Sequence, residues 1–171
     1  MSDNGKFFGK YRGIVLDNVD PLQTGRLLVQ VPDVANILPS SWAMPCVPFA
    51  GVQSGFYAVP EISATVWVEF EQGDPDYPVW VGCFWATAAQ VPALVLAAPP
   101  GLQQIVVQTV SENTLLISDV PGPTGGILLK SSTGAFISVS DTGITISNGQ
   151  GATILMNGPA VTVNDGALEV I

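Results

Sequence analysis

Four carboxylates, Glu69, Glu71, Asp74 and Asp76, crowd one short stretch of the chain. That residue type at that density could supply a general acid and base, or oxygen ligands for calcium. The same stretch, however, runs Gln72-Gly73-Asp74-Pro75-Asp76-Tyr77-Pro78, in which glycine and proline fix a turn. Catalytic carboxylates need burial to move their pKa values, and a turn of this kind reads as a solvated corner. The sequence contains no histidine, which removes both the commonest general base and the commonest metal ligand. Its serines include no Gly-x-Ser-x-Gly elbow. Cys46 and Cys83 stand far apart and outside any metal-type spacing; they read as reduced, buried small hydrophobes, not as a disulfide. The expectation is a protein with no catalytic residue, no metal and no cofactor.

Charge narrows the partners. Net charge is −9, and of five cations four, Lys6, Lys10, Arg12 and Arg26, lie in the first 26 residues. Nucleic-acid affinity comes largely from cations that neutralise phosphates, so a binder needs a basic stripe that is missing after Arg26. Trp67, Trp80 and Trp85 could stack bases, but they fall on predicted strands, where packing is the commoner use. The opening Met1-Ser2-Asp3-Asn4-Gly5-Lys6 is polar and unlike a signal peptide. The longest apolar run, Val91 to Ala98, is too short to span a bilayer as a helix. Synthesis and assembly in the cytoplasm are expected.

The elements that position these residues fall into two textures, and neither contains an amphipathic helix; the chain reads as all-β. The first region, residues 1–86, holds all the tryptophans and tyrosines. Strands are expected at Tyr11 to Val19, Arg26 to Val31, Met44 to Phe49, Thr65 to Phe70 and Val79 to Trp85, with a long loop from Pro32 to Trp42. Leu27, Val29 and Val31 share one face, as do Val66, Val68 and Phe70. Five strands with uneven loops suit a small closed barrel such as an OB-fold. Residues 87–103, rich in Ala and Pro, read as a connector.

The second region, 104–171, is quasi-periodic. Paired apolar residues recur as Ile137/Val139, Ile144/Ile146, Ile154/Met156, Val161/Val163 and Leu168/Val170, separated by Gly, Asn or Asp turns. The phase near Ile154, Leu155 and Met156 is ambiguous, since all three are apolar. Two inward side chains per strand are too few to offset backbone ordering, which costs roughly 1–2 kcal/mol per residue. A trimer is therefore expected, with these ten residues as its core and with chains hydrogen-bonding each other's open edges. Short Ser, Thr and Asn side chains outside would keep such an assembly narrow.

Several segments resemble a known family. Gly9-Lys10-Tyr11-Arg12-Gly13-Ile14-Val15, Asp20-Pro21, Gly25-Arg26-Leu27 and Val29-Gln30-Val31-Pro32 look like the OB-fold of phage baseplate assembly protein V and VgrG-type spikes. The run from Val66 to Gly82 is similar to that family's F-x-x-G-D-P-x-x-P turn, carried here by Gly73, Asp74, Pro75 and Pro78. The second region resembles the family's β-helical needle, which implies an intertwined, triple-stranded β-helix whose low charge suits passage through a bilayer. The resemblance implies a central spike of a contractile injection system. Three copies would cap the inner tube, adapt its sixfold symmetry to threefold, and puncture a target membrane transiently on contraction.

It also implies partners. The barrel starts near Met1, so the hub is expected on a separate polypeptide, as is the tube. Lys6, Lys10, Arg12 and Arg26 are expected to form the face that meets tube or hub. At the other end, Leu168, Glu169, Val170 and Ile171 would form a platform for a PAAR-type tip protein. The family's His-x-His iron site has no counterpart, because histidine is absent. Rival readings are a trimeric β-rich fibre or receptor-binding protein, and a monomeric OB-fold ligand-binding module.

Overall fold

The computed structural model describes residues 5–170. The chain forms two compact units that divide between Ala88 and Ala89.

In the first unit, alternation of apolar and polar residues produces a closed barrel. Its strands are β1 (Tyr11–Asp17), β2 (Leu27–Gln30), β3 (Pro39–Pro45), β6 (Thr65–Phe70) and β7 (Pro78–Cys83), in the order β1-β2-β3-β7-β6. All pairs are antiparallel except β3 with β7, which is parallel. This is the closure of an OB-fold, and it leaves no open strand edge. Val15, Leu27, Val29, Val31, Ala43, Val66, Val68, Phe70 and Trp80 fill the interior, so both alternations read from the sequence face inward. A two-stranded hairpin, β4 (Ala50–Gly51) with β5 (Ser54–Gly55), stands apart in the β3–β6 connection.

The expected loop from Pro32 to Trp42 is shorter than the sequence reading. Pro32 opens a single helical turn, α1 (Pro32–Ala35), and β3 already begins at Pro39, so Trp42 is a strand residue. Proline at a first helical position costs no hydrogen bond, which is why the turn escapes a periodicity test. Trp85 lies beyond the end of β7 and is exposed. Both cysteines are free, as expected, but exposed and not buried. Between Pro92 and Pro99, Ala93–Ala97 forms a short helix α2; five residues are too few to show a helical period.

The second unit is one antiparallel meander. Its strands are β8 (Gln104–Gln108), β9 (Thr114–Ser118), β10 (Gly126–Lys130), β11 (Phe136–Ser140), β12 (Gly143–Ser147), β13 (Thr153–Asn157), β14 (Ala160–Val163) and β15 (Leu168–Val170). Every strand pairs with its neighbours in sequence, in the order β15 to β8. The hydrogen-bonded ladder is therefore satisfied within one chain, and the expectation that neighbouring chains must pair its edges is corrected. Only β8 and β15 keep an outer edge.

Turns along one margin brace each other. The Asn113 side chain accepts from the Ser132 N–H at 3.0 Å, and Asn164 accepts from the Thr153 N–H at 3.0 Å. Gly149, with φ of 73°, lies so close to the Gly134 turn that a Cβ there would stand 2.7 Å from the Gly134 carbonyl carbon. Gly149→Ala should therefore destabilise the meander by about 1–3 kcal/mol. Denaturant unfolding checks this; an unchanged midpoint would show that the two turns do not depend on this contact.

Candidate oligomerisation face and barrel interface

Side chains directly opposite each other in an antiparallel ladder point to the same face. The register of the meander sets Ile137 opposite Ile146 and Val139 opposite Ile144. It then sets Ile144 opposite Met156, Ile146 opposite Ile154, Ile154 opposite Val163 and Met156 opposite Val161. Val170 and Leu168 take the register positions opposite Val161 and Val163. All ten residues expected at a trimer core thus fall on one face. Ile154 and Met156 belong to it, while Leu155 pairs with Thr145 and Thr162 on the other.

The same face continues through residues that sequence reading passed over. Ile105 and Val107 pair with Ile117 and Leu115, which pair with Ile127 and Leu129, and these meet Val139 and Ile137. The signal was the same two-apolar spacing, hidden because longer connections interrupt the step. Along this face Ile105 is 61% exposed and Ile146 36%, an extent of bare apolar surface that a solitary domain rarely shows. The opposite face is mixed: Gln104, Gln108, Thr114, Ser118, Thr145 and Ser147 share it with Val106, Leu128, Phe136 and Leu155, and Leu116 is buried among them.

Of the platform expected for a tip protein, Leu168 is 59% exposed. Glu169 and Val170 take their places in β15, the last strand of the sheet. Ile171 lies outside the described residues.

In the barrel, a carboxylate organises the β1–β2 turn. Asp20 is buried and accepts from the N–H groups of Leu22, Thr24 and Arg26 and from the Thr24 hydroxyl. The Arg26 guanidinium donates Nε and Nη2 to Asp20 Oδ1 at 3.0 and 2.6 Å. Its charge lies 5.5 Å from the Trp42 ring centre, and Trp80 Nε1 donates to the Gly25 carbonyl at 3.1 Å. Arg26, foremost, and then the turn N–H groups hold the Asp20 carboxyl well below the usual carboxylate range against the opposing effect of burial. Asp20 in turn raises Arg26. Arg26 therefore locks a turn and does not offer its charge to a partner.

The other expected contact cations differ. Lys10 pairs with Glu69 at 2.6 Å and Lys6 with Asp74 at 3.8 Å, both near the surface. Arg12 instead lies over Trp67 and Phe84, 5.8 and 5.7 Å from the ring centres. The acidic turn is structural. Gly73 has φ of 74°, and a Cβ on it would stand 3.0 Å from the Phe8 ring; its carbonyl accepts from the Phe7 N–H at 2.8 Å. Asp74 accepts from the Asp76 N–H at 3.1 Å, Asp76 offers its carbonyl to the Ser41 hydroxyl at 2.6 Å, and Pro78 is buried. Pro75 lies between those two aspartates in the turn. Among the described residues no three His, Cys, Asp or Glu side chains are grouped to hold a metal.

An OB barrel followed by a ladder with one bare apolar face defines a structural protein that works as an assembly. Comparison with known families agrees. Residues 11–85 match the type VI secretion system/phage-baseplate injector OB domain, and residues 104–169 match the phage baseplate V C-terminal trimerisation domain. The chain belongs to the phage baseplate V/VgrG-type family, whose members are structural baseplate components. No curated protein matches it.

Asp20 gives a signed pH dependence. Its folded pKa lies below the unfolded value of about 4, so its contribution is complete above that pH and is lost as pH falls further. Asp20→Asn should lower the barrel's melting temperature at neutral pH and flatten its loss of stability between about pH 5 and 2. Thermal melts across that window check both; parallel acid profiles for the two proteins would contradict the role given to Asp20.

Proposed function

We propose that three copies of this chain assemble with their apolar ladder faces turned to a common axis, forming the central spike of a contractile injection baseplate. The observation that carries the reading is the continuous face from Ile105 and Val107 to Leu168, bare in the single chain. Each such side chain gains about 1.5–3 kcal/mol on full burial. Two from each of eight strands together exceed the roughly 4–15 kcal/mol entropic cost of association. With ladder hydrogen bonds already made inside each chain, trimerisation has only to bury surface, and the product is a stiff shaft.

On this reading the trimer caps the hub and inner tube, which are separate proteins, and adapts sixfold to threefold symmetry. Sheath contraction drives it through a target envelope, so its contact with membrane is transient. The work is mechanical and needs no catalytic group, cofactor or nucleic acid. Leu168 to Ile171 of the three copies seat a PAAR-type tip protein. Assembly takes place in the cytoplasm, and the particle carries the spike outward.

Ile146→Asp tests the central step. It would place three carboxylates at the axis, and burying unpaired like charges costs several kcal/mol each. The variant should lose the trimer in size-exclusion chromatography and lose protease resistance over residues 104–171, while the barrel stays folded. A protease-resistant trimer would show that Ile146 does not face the axis. Removal of residues 168–171 should separately abolish capture of a PAAR-type tip protein, and retained capture would place its seat elsewhere.

A further inference from the structure

Of the four N-terminal cations, three are already neutralised within the chain, by Asp74, Glu69 and Asp20. Arg12 is not: among the described residues it makes no ion pair with a carboxylate. It is exposed on the outer surface of β1, directly opposite Trp67 in the ladder. Trp67 and Phe84 lie with ring centres 4.7 Å apart, and the guanidinium sits to one side of the pair, 5.8 and 5.7 Å from the two centres. A guanidinium beside aromatic rings keeps its planar fork for a bidentate carboxylate. Arginine and tryptophan are also the residues in which interface energy concentrates. Gly82, opposite Trp67 on β7, adds no side chain there, and Ile14, two residues along from Arg12, adds an exposed apolar rim.

The same barrel has carboxylates in surplus. Asp33, Glu61, Glu71 and Asp76 are exposed and make no ion pair among the described residues. A threefold ring requires a heterologous contact, in which one surface of each copy meets a different, complementary surface of the next. Residues 1–88 carry nine carboxylates against four cations, which sets neighbouring barrels against each other unless a cation stands where they meet. We infer that the Arg12–Trp67–Phe84 surface is a barrel-to-barrel contact that receives a carboxylate from a second copy of this chain. The inference rests on the trimer proposed above and adds a contact outside the trimerisation domain, one that fixes the barrels as a ring.

The test uses the full chain carrying Arg12→Lys. Normal and heavy-isotope chains are mixed before assembly, and the trimers are treated with a carbodiimide, which joins an amine to a carboxylate in direct contact. The Lys10–Glu69 pair, at 2.6 Å, supplies a link within each chain that reports an intact barrel. The expected result is a mixed-isotope peptide joining position 12 to a barrel carboxylate of another chain. Trimers that form the Lys10–Glu69 link but give no mixed-isotope link at position 12 would overturn the contact and leave the spike reading standing. Material that runs as a single chain before treatment would overturn the trimer, and the contact with it. In the protein without the lysine substitution, Arg12→Asp should increase hydroxyl-radical oxidation of Trp67, while equal oxidation would also overturn the contact.

Discussion

One face of the eight-stranded meander is apolar along its length, and many of its side chains, Ile105 to Leu168, stand exposed. Every other property of the second unit depends on that face. Its strands are only three to five residues long, and each pairs with the next. Hydrogen bonding is local and complete, but a single layer cannot shield its own side chains from water. Layered architecture demands a second surface, and residues 104–169 match a trimerisation domain. In the trimer proposed above, the ladder's hydrogen bonds would come from each chain alone and its stability from burial between copies.

The barrel solves the opposite problem. It closes on itself, so its core is self-contained, and several of its polar residues serve turns. Asp20 and Arg26 hold the β1–β2 connection, while Gly73, Asp74 and Pro75 hold the β6–β7 connection. Both sets attach the loops to fixed points, with Trp80 reaching Gly25 and Phe7 reaching Gly73.

Much of this was legible in the residues. Period-two alternation identified Leu27, Val29 and Val31 and their partners Val66, Val68 and Phe70, because a barrel interior admits only one face of each strand. The shared register of the paired apolar positions from Ile137 onward was legible for the same reason. The first three strands of the meander were not, since connections such as Asp119 to Gly125 break the repeat. Arg26 was misread as an offered charge, because its partner Asp20 is a matter of turn geometry that charge counting cannot see. Cys46 and Cys83 were misplaced because cysteine's usual burial is a tendency of composition, and both stand where strand ends reach the surface.

The central claim is that copies of this chain cover one another's apolar faces. Light-scattering mass of the purified protein, before and after brief warming in detergent, tests it most directly. A mass of three chains that survives detergent is the predicted result, since a large buried apolar interface comes apart slowly. A mass of one chain would leave the face from Ile105 to Leu168 uncovered and would contradict the account.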